Sequence, residues 1–89
     1  MRYKLKIYRS NRSLEAQLLD RGSILLGRKY FWKKAEKDPL QQCFFFGEQF
    51  GAELAKKGLR QITFDRNGFK YHGKLKSFAQ GLRKAKIEF

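Results

Sequence analysis

The first segment of the chain alternates between apolar and polar side chains. Its apolar positions are Tyr3, Leu5 and Ile7, and the positions between and beside them are Arg2, Lys4, Lys6 and Tyr8. A period of two is typical of a half-buried β-strand. The pattern therefore predicts a strand whose outer face is basic and carries an aromatic ring.

Two further strands are predicted before residue 38. Residues 9–12 are turn formers, because serine and asparagine side chains bond to nearby backbone groups. Leu14, Ala16 and Leu18 then restart the alternation as a second strand. Residues 20–22 are typical of a hairpin turn, and residues 24–26 are predicted to form the third strand.

A helix is predicted to begin at Asp38. Asp38 can cap the helix, Pro39 suits its first position, and Gln41 stands where a capping-box partner belongs. Apolar and small residues recur at helical spacing over residues 43–54, and Gly58 is typical of a helix end. The segment is therefore an amphipathic helix in this interpretation.

Two glycines and a cysteine lie on the apolar stripe of this helix. Gly47 and Gly51 would each cost about 1 kcal/mol relative to alanine in a helix interior. Their spacing of four suggests that the helix backbone approaches the sheet closely. For Cys43 a buried and inert thiol is the default interpretation, ahead of a redox or metal role.

The rest of the chain predicts one more strand and one more helix. Ile62 and Phe64 mark the strand, and Leu75, Phe78 and Leu82 lie on the apolar stripe of the helix. A helix between the third and fourth strands forms a crossover, so at least one parallel strand pairing is expected. The predicted fold is one α/β domain over residues 1–89, in the order β-β-β-α-β-α, with a mixed sheet of about four strands covered by two helices.

The composition narrows the class of protein. The 89 residues carry a formal net charge of +13, and 16% of them are aromatic. Such one-sided charge favours a polyanionic partner, nucleic acid above all, and the aromatic content argues against simple disorder. One cysteine and one histidine make a disulfide scaffold or a metal cluster improbable. No run of apolar residues approaches the length of a membrane span.

The basic charge is concentrated at three places. Residues 1–12 hold five basic side chains and no acid, residues 28–38 hold five with two acids, and residues 66–89 hold seven with one acid. The segment of residues 65–76 combines four cations with two aromatic rings, a histidine and two glycines. Cations contact phosphates, planar side chains stack on unpaired bases, and glycines let backbone N–H groups approach phosphate oxygens. This composition indicates RNA binding.

The same segment resembles a known family. Asp65-Arg66-Asn67-Gly68-Phe69-Lys70-Tyr71-His72-Gly73-Lys74-Leu75-Lys76, with a short helix and a final Phe89 behind it, is similar to the carboxyl-terminal motif of the bacterial-type large-subunit ribosomal protein L-eighteen family. The turn after the first strand, the Ala16-Gln17 pair and the central helix with its Lys57-Gly58-Leu59 exit resemble the family in the same order. The matches run from about Leu5 to Phe89.

This resemblance implies a fold and a function. The family has a ribonuclease-H-like core, binds 5S rRNA without catalysis, and anchors it beside neighbouring proteins in the central protuberance of the large subunit. It implies no cofactor, no metal, no membrane and no small-molecule substrate. The candidate RNA-binding residues carried over from the family are Arg9, Ser10, Asn11, Arg12, Arg66, Asn67, Gly68, Lys70, Tyr71, His72, Gly73, Lys74 and Lys76. The basic outer strand face adds Lys4, Lys6 and Tyr8.

The chain also departs from the family pattern. The strand begins almost at Met1, so the long basic arm of bacterial members is expected to be absent, and Glu15 would repel phosphate unless it faces a basic neighbour. A short chain rich in lysine and phenylalanine and without valine suggests an organellar member, with a mitochondrial one favoured over a plastid or bacterial one. The alternative function is that of the same fold in a mitochondrial ribosome without 5S rRNA, bound to another rRNA or protein element.

Several side chains keep more than one interpretation. Residues 30–32 either stack on RNA, dock on a protein neighbour or pack within the strand. His72 either contacts RNA or is structural, and the outer face of the last helix either lies along rRNA or is solvated. Phe46, Phe50, Phe64 and Phe78 are assigned to the core.

Overall fold

The computed structural model describes residues 3–10, 13–32, 38–65, 68 and 73–89. Its elements follow the predicted order. They are β1 (Tyr3–Arg9), β2 (Ser13–Asp20), β3 (Ser23–Phe31), α1 (Pro39–Lys56), β4 (Thr63–Asp65) and α2 (Lys74–Lys84).

The four strands form one mixed sheet in the order β3-β2-β1-β4. β2 is antiparallel to both of its neighbours, whereas β4 runs parallel to β1. The parallel pair is the one that the crossover through α1 requires. The α/β prediction and the parallel pairing are both confirmed.

The sheet has one covered face and one open face. On the covered face, Leu5 and Ile7 of β1 and Leu14 and Leu18 of β2 are fully buried. They belong to the same apolar cluster as side chains of α1 and α2, so both helices pack on this side. Burying each of these side chains stabilises the fold by about 1.5–3 kcal/mol. The alternating positions of the strands point to the other side, called the open face below.

The helix signals at the two ends of α1 are confirmed. The Asp38 carboxylate accepts a hydrogen bond from the backbone N–H of Leu40 at 3.0 Å, and Pro39 is the first helical residue. The chain leaves the helix through Gly58, whose φ of +75° is strained for other residues. Three phenylalanines assigned to the core, Phe46, Phe50 and Phe78, are buried between the helices and the sheet.

The glycines of α1 have a different partner from the predicted one. A Cβ at Gly47 would clash with the backbone carbonyl oxygen of Phe78, and a Cβ at Gly81 would clash with that of Phe44. The close approach is therefore to α2, and the expectation of contact with the sheet was wrong. The reason is that Gly81 supplies the matching gap on α2, so the two helix backbones meet directly.

The third strand is longer than predicted: it pairs with β2 as far as Phe31, and two of its side chains contact α1. Arg28 forms a two-pronged ion pair with Glu53, with its Nη2 2.8 Å and its Nε 3.2 Å from the two carboxylate oxygens. The Tyr30 hydroxyl donates to the side-chain oxygen of Gln42 at 2.8 Å, and its ring stacks on Phe46. A register shift between Leu18 and Leu19 accommodates the strand against β2.

Candidate nucleic-acid interface

Basic side chains of β1 and α2 come together at one end of the molecule, next to the end of β3. β1, β3 and β4 run in the same direction, so their carboxyl ends lie at the same edge of the sheet. Arg9 ends β1 and Ser10 follows it, Trp32 follows β3, and Gly73 and Lys74 lie at the start of α2. We call these five residues the strand-end cluster. Two motifs that lie more than sixty residues apart in the sequence thus contribute to one surface.

Lys74 is held in place within this cluster. Its ammonium lies 4.7 Å from the centre of the Trp32 ring, within the range of a cation–π contact. Both side chains are half-buried, and Trp32 packs against the apolar core. For Trp32 this supports the packing interpretation, with the added role of orienting a lysine.

The pKa of Cys43 is affected by the two cations of the cluster. The thiol is fully buried, and burial raises its pKa to about 11, while the nearby charges of Lys74 and Arg9 act in the opposite direction. Both cations therefore lie near the same point on α1. A thiol with so high a pKa is a poor nucleophile, in line with the structural interpretation.

The start of α2 offers backbone donors next to these cations. Gly73 has φ +59° and ψ −120°, a conformation that favours glycine. Its carbonyl oxygen accepts the first helical hydrogen bond, from the N–H of Ser77 at 2.9 Å. The first turn of the helix holds no acid, and its Lys76 is exposed. Free N–H groups and the helix dipole favour an anion at this position.

The open face carries a second group of basic and aromatic side chains. Lys4, Lys6 and Tyr8 of β1 point to it, as the alternation predicted, while Leu5 and Ile7 are buried beneath. These outer positions are paired with Leu19, Gln17 and Glu15 of β2, in that order. Glu15 is in turn paired with Lys29 of β3 and accepts a hydrogen bond from Gln17 at 3.0 Å. It therefore has the basic neighbour that its position near RNA would require.

The structure places nine of the sixteen predicted site residues. Lys4, Lys6 and Tyr8 lie on the open face, Arg9, Ser10, Gly73 and Lys74 in the strand-end cluster, Lys76 on α2 and Gly68 at an exposed turn. The other seven, which lie outside the described residues, are Asn11, Arg12, Arg66, Asn67, Lys70, Tyr71 and His72. Sequence reasoning missed Lys29. The alternation of side chains along a strand could have found it, because a strand with Tyr30 directed inward has Lys29 and Phe31 directed outward.

Candidate metal ligands lie apart from one another in the described part of the chain. Over those residues, no three side chains of histidine, cysteine, aspartate or glutamate gather as a metal site would require. Neither α1 nor α2 is both long and apolar enough to cross a lipid bilayer.

The fold and the charge are those of a small, strongly basic α/β domain. The whole chain, residues 1–89, matches the family described as "Ribosomal L18 of archaea, bacteria, mitoch. and chloroplast". The chain therefore belongs to this family, whose members are structural ribosomal proteins and not enzymes.

Similar proteins are found in diverse bacteria under the name large ribosomal subunit protein uL18. That of Thermomicrobium roseum is 33% identical over 96 residues, covering 99% of this chain and 77% of the relative. That of Chlorobium phaeovibrioides is 37% identical over 91 residues, covering 97% and 76%. That of Mycoplasmopsis pulmonis is 35% identical over 92 residues, covering 99% and 78%.

Proposed function

We propose that the chain, as a structural constituent of the large ribosomal subunit, binds rRNA and in particular 5S rRNA in the central protuberance, beside neighbouring ribosomal proteins. The observation that carries the proposal is the strand-end cluster. It joins the two segments by which the chain resembles the family's RNA-binding motifs, at one end of a protein with a net charge of +13.

The mechanism is electrostatic docking onto folded RNA. Arg9 and Lys74 supply positive charge at the strand ends, and the first turn of α2 adds backbone N–H groups that bond to phosphate oxygens. Such contacts fix the position of the protein, while contacts to bases and to RNA shape specify the site. Asn11, Tyr71 and His72 are the residues that we assign to local specificity.

Residues 1–89 act as one domain in this proposal. Side chains from β1, β2, β3, α1 and α2 share one apolar cluster, so the open face and the strand-end cluster belong to one body. The same RNA can therefore contact both surfaces.

The first prediction tests the lysines at the start of α2. We expect the double variant Lys74→Gln, Lys76→Gln to bind 5S rRNA at least about tenfold more weakly at low salt. If both lysines contact phosphate, the slope of log affinity against log salt should also become shallower by about 2. For the unchanged protein we expect a slope of about −5 to −7, corresponding to about 6–8 phosphates. Filter binding over a series of salt concentrations measures both quantities.

The matched control is the double variant Lys56→Gln, Lys57→Gln. It removes the same charge at the far end of α1, about 27 Å along an 18-residue helix from its start. Equal losses of affinity for the two double variants would contradict the proposal, since the lysines at the start of α2 would then act only through the net charge of the protein. Circular dichroism confirms that each variant is folded.

The identity of the RNA is tested by competition. We expect 5S rRNA to displace labelled 5S rRNA from the protein more effectively than fragments of the large rRNA do. Preference for another rRNA would instead support the alternative of an organellar ribosome without 5S rRNA. The organellar origin stays a prediction, and the relatives named above are bacterial.

A further inference from the structure

Two aromatic rings of the sheet point away from the core. Phe31 is 59% exposed at the end of β3, and Tyr8 is 36% exposed near the end of β1. Both lie on the open face, because Tyr30 points inward to Phe46 and Ile7 is fully buried. Phe31 lies on an edge strand and is not part of the apolar core that the described residues form.

Each of the two rings is accompanied by a lysine on its own strand. The Lys29 ammonium lies 5.1 Å from the centre of the Phe31 ring, and that of Lys6 lies 5.8 Å from the centre of the Tyr8 ring. The residues two apart along a strand share a face, so ring and cation are presented together. A flat ring beside an ammonium matches a nucleotide, which has a flat base and an anionic phosphate.

The spacing of the rings indicates how RNA would lie on them. Tyr8 and Lys29 are both paired with Glu15, and Phe31 lies two residues beyond Lys29. The positions of Tyr8 and Phe31 are therefore separated by two inter-strand distances across the sheet and by two residues along the strand. This separation corresponds to about 12 Å. Successive stacked bases lie only about 3.4 Å apart. The rings would thus receive separate, splayed bases and not neighbours in one stack.

We propose that the open face of the sheet binds unpaired nucleotides of rRNA, with Phe31 and Tyr8 stacking on bases and Lys29 and Lys6 contacting phosphates. This inference rests on the proposed function, in which rRNA is the partner. Unpaired bases are the fitting ligand, because bases inside an RNA duplex are already stacked and leave no face for a side chain. A single strand follows the sheet across β1, β2 and β3.

The charges of the face favour RNA over a second copy of the chain. Its described ionisable side chains include three lysines and two acids: Lys4, Lys6, Lys29, Glu15 and Asp65. In the strand register, Glu15 lies opposite Lys29, and Asp65 lies opposite Lys6. Two copies that each carry +13 would repel one another. A partner protein on this face remains a distinct outcome of the test.

The test compares a short unstructured RNA with a duplex of the same sequence. Fluorescence anisotropy measures the affinity of the full chain for a labelled 12-nucleotide strand and for its 12-base-pair duplex. We expect Phe31→Ala to weaken binding to the single strand by about 5- to 140-fold, the range that corresponds to about 1–3 kcal/mol for one stacked base. We expect little change for the duplex, and Phe31→Tyr, which keeps a ring, should restore binding.

The matched control is Phe45→Ala. Phe45 is 46% exposed, but it lies on α1, on the other side of the sheet. Equal affinities of Phe31→Ala and Phe45→Ala for the single strand would overturn the inference. If Phe31→Ala does not fold, Phe31→Leu keeps an apolar side chain without a ring face and should show the same loss.

The inference and the proposed function fail in different ways. If only the inference is wrong, Lys74→Gln, Lys76→Gln still weakens binding to 5S rRNA while Phe31→Ala leaves single-strand binding intact. If Phe31→Ala binds RNA normally but no longer enters the ribosomal particle, the face contacts a protein, and the inference is overturned. If the lysine variant also binds 5S rRNA normally, the proposed function itself has failed.

Discussion

At the scale of the residue, Cys43 shows burial and nearby charge acting in opposite directions. Burial disfavours the thiolate because the core solvates charge poorly, whereas Arg9 and Lys74 favour it. Burial prevails, and the pKa rises from 9.0 to about 11. The sequence could place Cys43 on an apolar stripe, but it could not show which cations would face the thiol, because those come from β1 and α2.

This pKa predicts a loss of stability at high pH. The folded protein holds the thiol proton more tightly than the unfolded chain does, so the contribution of Cys43 is complete below pH 9 and declines as the pH rises towards 11. We expect the free energy of unfolding of the wild type, relative to that of Cys43→Ala, to fall over this range by up to about 2–3 kcal/mol. Urea unfolding at pH 7, 9, 10 and 11 measures it. The paired variant cancels the titration of lysine and tyrosine, and a difference that does not change with pH would refute the prediction.

At the scale of the element, strand and helix identity followed from local pattern, whereas the side-chain contacts between distant elements did not. The alternation of residues 3–8 and the cap at Asp38 are local signals, and the structure has both. The direction of Phe31 depends on Tyr30, whose hydrogen bond to Gln42 is a contact between distant segments. Gly47 of α1 likewise needed Gly81 of α2, 34 residues later in the sequence, to explain it.

The close crossing of α1 and α2 makes the stability of the fold more sensitive to substitution at Gly81 than at Gly27 of β3. A Cβ at Gly81 would meet the backbone of Phe44 and Glu48, which cannot yield as a flexible side chain can. We expect Gly81→Ala to lower the free energy of unfolding by about 2–3 kcal/mol or more, despite the gain of about 1 kcal/mol in helix propensity. Thermal and urea unfolding give the value.

Gly27→Ala on β3 is the control for this substitution. A Cβ there would make only ordinary contact with Ile24, at 3.8 Å. We expect it to change stability by less than about 1 kcal/mol, in the stabilising direction, because alanine loses less backbone entropy than glycine in a strand. If Gly81→Ala were as mild, the helices would be free to move apart, and their close approach would not be a constraint on the fold.

At the scale of the whole molecule, the net charge of +13 acts on folding and on binding with opposite signs. The cations repel one another in the free protein, and this repulsion opposes the compact state. Bound RNA neutralises them, so the same charges then favour association. On the described part of the open face, the three lysines Lys4, Lys6 and Lys29 outnumber the two acids Glu15 and Asp65.

The final prediction is that salt stabilises the free protein while it weakens RNA binding. Screening shortens the range of repulsion to about 10 Å at 0.1 M salt, less than the separation of many charges in the molecule. Each kcal/mol of repulsion relieved raises the Tm of a domain of this size by about 4–8 °C, so we expect the Tm to rise by at least about 4 °C between 20 and 200 mM KCl. Thermal unfolding followed by circular dichroism measures it. The variant Lys56→Gln, Lys57→Gln should begin with a higher Tm and rise less, because it has two fewer charges to screen. A Tm that falls as salt increases would mean that favourable ion pairs such as that of Arg28 with Glu53 outweigh the repulsion, and that the charge excess is no burden on the fold.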